Sequence, residues 1–439
     1  MKRKTVVLLW GGRERTAFRP ALGRPLGAYA LEAACGLGPD AVLVLPGRGA
    51  AAGDDWEGLI RGVATPVPVF LLEAGRPAPA PRREGALAAL VTARGVLEKY
   101  PDCDVLTVPA DMPLVRTRTL KALLRAHAAR RMALTFLSAG AGGLTGVCAV
   151  RSADAFPHLE GPAAVRGGRG FEALALRLTR AGGKVGFHDC PDPGEALTAG
   201  DASSAGQAAA VLRARKNEAL ARRGVVLLDP GSAWIDWQAA IGPGTVVHPF
   251  VVIEGATRVG AEGRIHPHVH IVGSTLGARV KVLASTVMDG AVLEDDVQVG
   301  PFSRLRPGTR VRAGARVGNF VEMKNTVFGR RSKAMHLSYL GDSAVGEDVN
   351  IGAGTITCNY DGVSKNPTTV GAGAFIGSGT ELVAPVKVGR GAYVAAGSTI
   401  TKDVSAGALA LARAKQVEKP GWVLERVRGR KKARGSGKP

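Results

Sequence analysis

The chain predicts two fold classes in series: an α/β domain, then an all-β parallel β-helix. Three observations point there. Short apolar runs alternate with Ala-rich helical stretches through the first half. From Gly224 onward helical periodicity gives way to a six-residue rhythm. Aromatic residues make up only 5% of the 439 positions while glycine occupies 60, a mix suited to thin aliphatic cores with many tight turns.

In chain order, Thr5 to Leu9 reads as a strand closed by Gly11-Gly12, and Ala41 to Leu45 and Val105 to Val108 repeat the pattern. Amphipathic stretches such as Leu26 to Cys35 and Glu84 to Tyr100 lie between, so a parallel sheet with ligands at the strand C-ends is expected. Ala205 to Arg223 is polar, Ala-rich and helical in pattern, a connecting arm. Regular hexads then open at Val345, Ile351, Val370, Ile376, Leu382, Val388, Val394 and Ile400, each aliphatic residue usually followed by a small one. Weaker hexads begin at Ile241, Val259, Leu276 and Val299, and the interval from Ile356 to Val370 must hold an extra loop. Hexads of this kind build short strands whose aliphatic residue points inward and whose small residue fits a corner, with successive coils stacked like on like. The predicted organisation is an α/β domain over 1–204, an arm over 205–223, a β-helix over 224–412 and a basic tail over 413–439.

A hydrophobic content of 46% suffices for sizeable cores. The formal charge of +21 fits acidic small molecules, nucleic acid, an anionic surface, or simply Arg-rich usage. Part of it sits in Arg426 to Pro439, with seven Lys/Arg and no acid, expected as a solvated tail without structure. The five cysteines are scattered without a C-x-x-C pair, which indicates neither zinc site nor disulfide framework and fits a reducing compartment. Val6 to Trp10 is too short for a signal peptide, and no stretch reaches membrane-spanning length. A cytoplasmic protein without membrane insertion is the expectation.

Three segments carry a specific resemblance: Gly318-Asn319-Phe320-Val321-Glu322-Met323-Lys324, His336-Leu337-Ser338-Tyr339-Leu340-Gly341-Asp342, and Asn350 through Gly362 (NIGAGTITCNYDG). Together they resemble the bacterial bifunctional N-acetylglucosamine-1-phosphate uridyltransferase/glucosamine-1-phosphate acetyltransferase family, across about residues 224–422. The resemblance implies a left-handed β-helix, a homotrimer with acetyl-CoA sites between subunits, and N-acetylation of glucosamine 1-phosphate. It makes His336 the general base, a role suited to an imidazole titrating near neutrality. Arg306, Lys324, Tyr339, Asn350 and Lys365 match the sugar-phosphate contacts. Ala353, Asn359, Tyr360, Ser378, Ala396 and Arg413 match the acetyl-CoA contacts. Cys358 reads as packing, because the transfer is direct.

The first half resembles the family's Rossmann-like nucleotidyltransferase domain more distantly. Thr107 to Leu114 (TVPADMPL) resembles its strand with a magnesium-binding aspartate, Asp111, and counting back from Gly224 places Asp201 near the second metal ligand. Gly23-Arg24-Pro25-Leu26 resembles the turn after the phosphate loop. Departures are plain: Trp10 and Glu14 stand where the family has small residues, and Arg19 is the nearest candidate for its lysine. Leu71 to Arg76 and a proline-rich run replace its uracil-reading segment, and a sugar-binding stretch is missing near Leu137 to Gly143. The shortened layout is as similar to molybdenum-cofactor-type nucleotidyltransferases as to sugar nucleotidyltransferases. Three readings stand for this half: a divergent uridyltransferase using UTP, a transferase of another nucleotide, or a folded relic. For the whole chain, another amino-sugar phosphate as acceptor and a basic β-helix scaffold binding nucleic acid are the rivals.

Overall fold

The computed structural model describes residues 3–11, 15–46, 55–72, 85–140, 143–159 and 170–435. Of the sequence features above, positions 12–14 of the opening loop, 73–84 of the proline-rich stretch and 141–142 lie outside them. The chain divides into two compact units, Met1–Arg258 and Val259–Pro439, the boundary falling inside the run of hexads.

The first unit is built on a seven-stranded sheet in the order Val69–Leu71, Ala41–Leu45, Thr5–Trp10, Asp104–Pro109, Leu144–Arg151, Leu134–Ser138, Val185–Asp189. Only Leu144–Arg151 runs antiparallel to its neighbours. Because Thr5–Trp10 lies between Ala41–Leu45 and Asp104–Pro109, the direction of winding reverses there, and the strand C-ends open a crevice. The central strands are apolar on both sides, as a doubly covered parallel sheet requires. One face packs Leu31, Trp56, Leu120 and Leu123 from the helices Leu26–Cys35, Trp56–Arg61 and Thr117–Ala129. The other packs Leu87, Leu90, Leu174 and Leu178 from Ala86–Leu97 and Gly170–Arg180.

The arm is an α-helix over Ala202–Arg222, started by an Asp201/Ser204 capping box. Its Ala205, Ala208 and Leu212 join a third core with Leu22, Leu26, Tyr29 and Leu114. Beside that core the Arg24 guanidinium stacks 3.8 Å from the Tyr29 ring and 4.6 Å from that of Trp237, and pairs with Glu32. The unit closes with the first β-helix strands, among them Val226–Leu227 paired with Val246–Val247 and Trp234–Ile235 paired with Val252–Glu254.

The second unit is a left-handed parallel β-helix of three stacks of short parallel strands, here called faces. The first face runs from Arg264–Ile265 to Leu409–Ala410 and includes Arg316–Asn319, Lys333–His336, Asn350–Ile351, Phe375–Ile376 and Tyr393–Val394. The second includes Glu322–Lys324, Tyr339–Gly341, Ile356–Cys358 and Glu381–Val383, and the third includes Val327–Phe328, Ser343–Val345 and Thr368–Val370. Every aliphatic residue predicted to open a regular hexad is buried, Ile376, Leu382 and Val394 completely, and so are Ile241, Val259, Leu276 and Val299. The small residue after it is there because the next coil is close: a Cβ on Gly377 would stand 2.4 Å from the Ala396 nitrogen. Corner hydroxyls such as Ser303, Ser332 and Ser338 satisfy carbonyls of the next coil.

The extra loop falls where expected, between Cys358 and Thr368. Tyr360 and Lys365 form an antiparallel bridge across it. One expectation is corrected. The basic segment expected to lack structure is helical over Trp422–Gly435, because its Leu, Glu, Arg, Lys and Ala residues are strong helix formers that outweigh the single interior glycine, Gly429.

Candidate functional site

Most coils hold 17 or 18 residues and the one with the extra loop holds 25, so side chains that far apart in sequence are neighbours on adjacent coils. The corner leading from the first to the second face uses this. Asn319 and His336 share a register position, and His336 Nδ1 lies 2.9 Å from Asn319 Oδ1. The His336 carbonyl accepts from Ser338 Oγ at 2.9 Å, which holds the imidazole's own peptide. Further coils carry the corner onward: the Gly354 amide bonds the Leu337 carbonyl, that of Gly379 bonds Ala353, and that of Gly397 bonds Ser378. At the last coil the Arg413 guanidinium donates to the Ala396 carbonyl at 2.7 Å. His336, Ala353, Ser378, Ala396 and Arg413 are therefore brought into one column along a single exposed corner. Beside it run Leu337 at φ 47°, then Gly354, Gly379 and Gly397 at φ 74°, 67° and 72°, a left-handed turn that glycine adopts without strain.

The second face supplies cations beside that column. Alternation places Met323 and Leu340 in the core and turns Glu322, Lys324 and Tyr339 outward. The Arg306 amide bonds the Met323 carbonyl, which puts Arg306 on the rung before Lys324, and its guanidinium pairs with Glu322 at 2.9 Å. Gly341 follows Lys324 in register. A Cβ on Gly341 would approach the Tyr339 hydroxyl to 2.5 Å and Asn359 Nδ2 to 2.6 Å, so its bareness makes room for both. Asn359 is buried and donates to Asp342, which also accepts from Asn325 at 2.8 Å.

Other candidates lie apart. Asn350 stands on the first face, in register with Lys333 and Phe375, away from Arg306, Lys324 and Tyr339. Tyr360 and Lys365 meet each other, the ammonium 4.2 Å from the ring centre. Their loop is knotted by Asp361, whose carboxylate accepts from the amides of Val363 and Ser364 and from Asn366; these bonds pull its pKa down to about 2. Burial pushes the half-buried Cys358 thiol up, away from the thiolate a nucleophile needs. Asn319, Glu322, Gly341 and Asp342 lie inside the motifs that carry the resemblance but have no role in the sequence reading, although the coil offset is a signal that assigns two of them: Asn319 and His336, Asn325 and Asp342, and Asp342 and Asn359 are each 17 residues apart.

In the first unit the Asp111 side chain is buried just past the strand C-end, Oδ1 lacks a partner, and burial raises its pKa. The Ala199 amide bonds the Asp111 carbonyl at 2.8 Å, so the segment leading to Asp201 passes alongside. Asp201 Oδ1, however, accepts from the Ser204 amide and hydroxyl, both at 2.7 Å, as the helix cap. Magnesium commonly takes one or two carboxylates and completes its shell with water and phosphate oxygens. Asp111 suits that; Asp201 is engaged in capping. Among the described residues no three His, Cys, Asp or Glu side chains cluster as a metal site. Trp10 ends the neighbouring strand, with its indole N–H buried and unpartnered.

These features define a hexapeptide-repeat protein of the transferase kind: residues 367–402 match the model of bacterial transferase hexapeptides (six repeats). The bifunctional protein GlmU of Geotalea uraniireducens is 38% identical over 363 residues, 73% of this chain and 78% of that one. The chain belongs to the GlmU family. GlmU of Thermotoga petrophila is 48% identical over 215 residues, 49% of this chain, and the match spans about half (48%) of that relative's length. Among solved structures, Francisella novicida UDP-N-acetylglucosamine acyltransferase is similar at 14% identity and a TM-score of 0.30, over 45% of this chain and 72% of that one. No described helix is long and apolar enough to cross a membrane.

Proposed function

We propose that the β-helix transfers the acetyl group of acetyl-CoA to the amine of glucosamine 1-phosphate, giving N-acetylglucosamine 1-phosphate. The corner column from Asn319 and His336 to Arg413 carries this reading, because it sets a histidine at one end of an exposed track and a guanidinium at the other. The neutral amine attacks the thioester carbonyl, a C–N bond forms as the C–S bond breaks, and His336 takes the amine proton and returns it to the departing thiolate. Arg306 and Lys324, with Tyr339, hold the dianionic sugar phosphate, the guanidinium as a fork and the ammonium as a mobile charge, while Asn350 and Lys365, which lie apart on this chain, complete the pocket from a neighbouring subunit. Ala353, Ser378 and Ala396 leave the track free for the pantetheine arm and Arg413 faces the CoA phosphates, while Asn359 and Tyr360, set past the far end of the second-face strand, join the donor site from a neighbouring subunit. A homotrimer in the cytoplasm is the assembly and setting this reading takes from the family.

A second reading adds uridylyl transfer from UTP to make UDP-N-acetylglucosamine, favoured by the buried, unpartnered Asp111 oxygen at the mouth of the crevice. Magnesium bound there would neutralise phosphate charge. Asp111 would hold it, and Trp10 would border the nucleotide.

A two-channel assay tests both. CoA release from acetyl-CoA and glucosamine 1-phosphate follows the first, and magnesium-dependent pyrophosphate release from UTP and N-acetylglucosamine 1-phosphate follows the second. Activity in both channels supports a bifunctional enzyme, and CoA release alone supports an acetyltransferase joined to a silent or altered domain. No CoA release overturns the first reading and leaves the nucleic-acid scaffold, for which His336 would be dispensable.

A further inference from the structure

We infer that Asn319 is a positioning residue for the acetyl-transfer base, a role that rests on the acetyltransferase reading above. Three observations support it. Asn319 and His336 face each other in register on adjacent coils, where the coil spacing of about 4.8 Å lets side chains join directly. Their strands, Arg316–Asn319 and Lys333–His336, are four residues long, so the pairing extends to the corner itself. The coils cannot separate there, since Gly318 already brings them so close that a Cβ would fall 1.9 Å from the Met335 carbonyl oxygen.

The chemistry follows from which nitrogen is engaged. An amide oxygen 2.9 Å from Nδ1 accepts a hydrogen bond from it, so the neutral imidazole carries its hydrogen on Nδ1 and keeps the Nε2 lone pair. Nε2 is then the atom that takes the amine proton. When the ring becomes imidazolium, the Nδ1–H to Asn319 bond becomes charge-assisted and stronger, which favours the transition state over the resting enzyme. An amide rather than a carboxylate is the better partner for a base. A carboxylate would hold the ring protonated to higher pH and remove the lone pair when it is needed.

The test is the pH profile of CoA release for Asn319→Ala and Asn319→Asp, alongside the tautomer of His336 read from nitrogen-15 spectra of histidine-labelled protein, assigned by difference with His336→Ala. Asn319→Ala should lower kcat by about tenfold, less than the roughly 10²–10⁴-fold that loss of the base itself costs, and leave both KM values within about twofold. Asn319→Asp should retain an acceptor and move the acid limb of the profile upward by about half a pH unit or more. The spectra should show hydrogen on Nδ1 in the wild-type protein. An unchanged profile in Asn319→Ala, an unmoved acid limb in Asn319→Asp, or hydrogen on Nε2 would each overturn the proposal. If the wild-type chain releases no CoA, the acetyltransferase reading fails by itself, and the spectra alone then decide whether Asn319 sets the tautomer.

Discussion

His336 contributes its imidazole and little packing, since it is exposed and hydrogen-bonded through Nδ1 to Asn319. His336→Ala should therefore cost about 10²–10⁴-fold in the rate of CoA release, while thermal unfolding stays at the wild-type temperature. Asp361 has the opposite character. Its carboxylate bonds Val363, Ser364 and Asn366 within the loop bearing Tyr360 and Lys365, so Asp361→Ala should raise the KM of both substrates several-fold in steady-state assays and leave global stability unchanged. Because its folded pKa lies near 2, below the ordinary aspartate value, the loop's anchor is fully present above about pH 4 and is lost as pH falls through about 2. Faster amide exchange at Val363 and Ser364 over that window is the expected sign. The sequence disclosed His336 through its motif. It did not disclose Asn319, because an asparagine on a coil corner looks like any turn residue until the 17-residue offset pairs it with the histidine. Asp201 shows the reverse: counting placed it among metal ligands, while an aspartate three residues before Ser204 at a helix start also satisfies the rule for a cap.

At the scale of elements, the β-helix is held by single inward side chains stacked coil on coil. Phe328 is the largest fully buried one. Phe328→Ala removes its contacts to the coils on either side and should cost about 3–5 kcal/mol in urea unfolding of the second unit. These strands were legible because a two- or three-residue strand with one inward aliphatic leaves a strict period of six. The α/β elements were legible for another reason, the switch between short apolar runs and Ala-rich helices. The C-terminal helix is not legible, because the charge run that follows its start at Trp422 has the composition of a solvated tail, which hides the helix propensity of the same residues.

For the molecule as a whole, the two units respond to acid through different groups. In the first, His127 is wholly buried against Thr135, and desolvation, reinforced by Arg151 and Arg3, lowers its pKa to about 4. The unfolded chain binds a proton there below about pH 6.5, so the unit loses stability as pH falls from 6.5 towards 4. The loss reaches about 3 kcal/mol at most and is partly offset by Asp104, 3.8 Å away, whose burial raises its own pKa. His127→Gln should flatten the stability of the first unit across that window in denaturant titrations. In the second unit, the ladders Arg279–Asp296 and Arg331–Asp348 hold both carboxylates below their ordinary range, so their contribution persists through mild acid and fades only as pH falls through those lowered values.

The corner column also acts as a ruler. From His336 to Ala396 the chain climbs three coils, about 14 Å at the spacing of paired strands, and no intermediate length is available, because the graduations are whole coils. A donor with a shorter or longer arm cannot be matched by adjusting a side chain. It requires deleting or inserting 17 or 18 residues at once, so the span between base and guanidinium is inherited in steps, and point substitution tunes chemistry at either end without changing the length being measured.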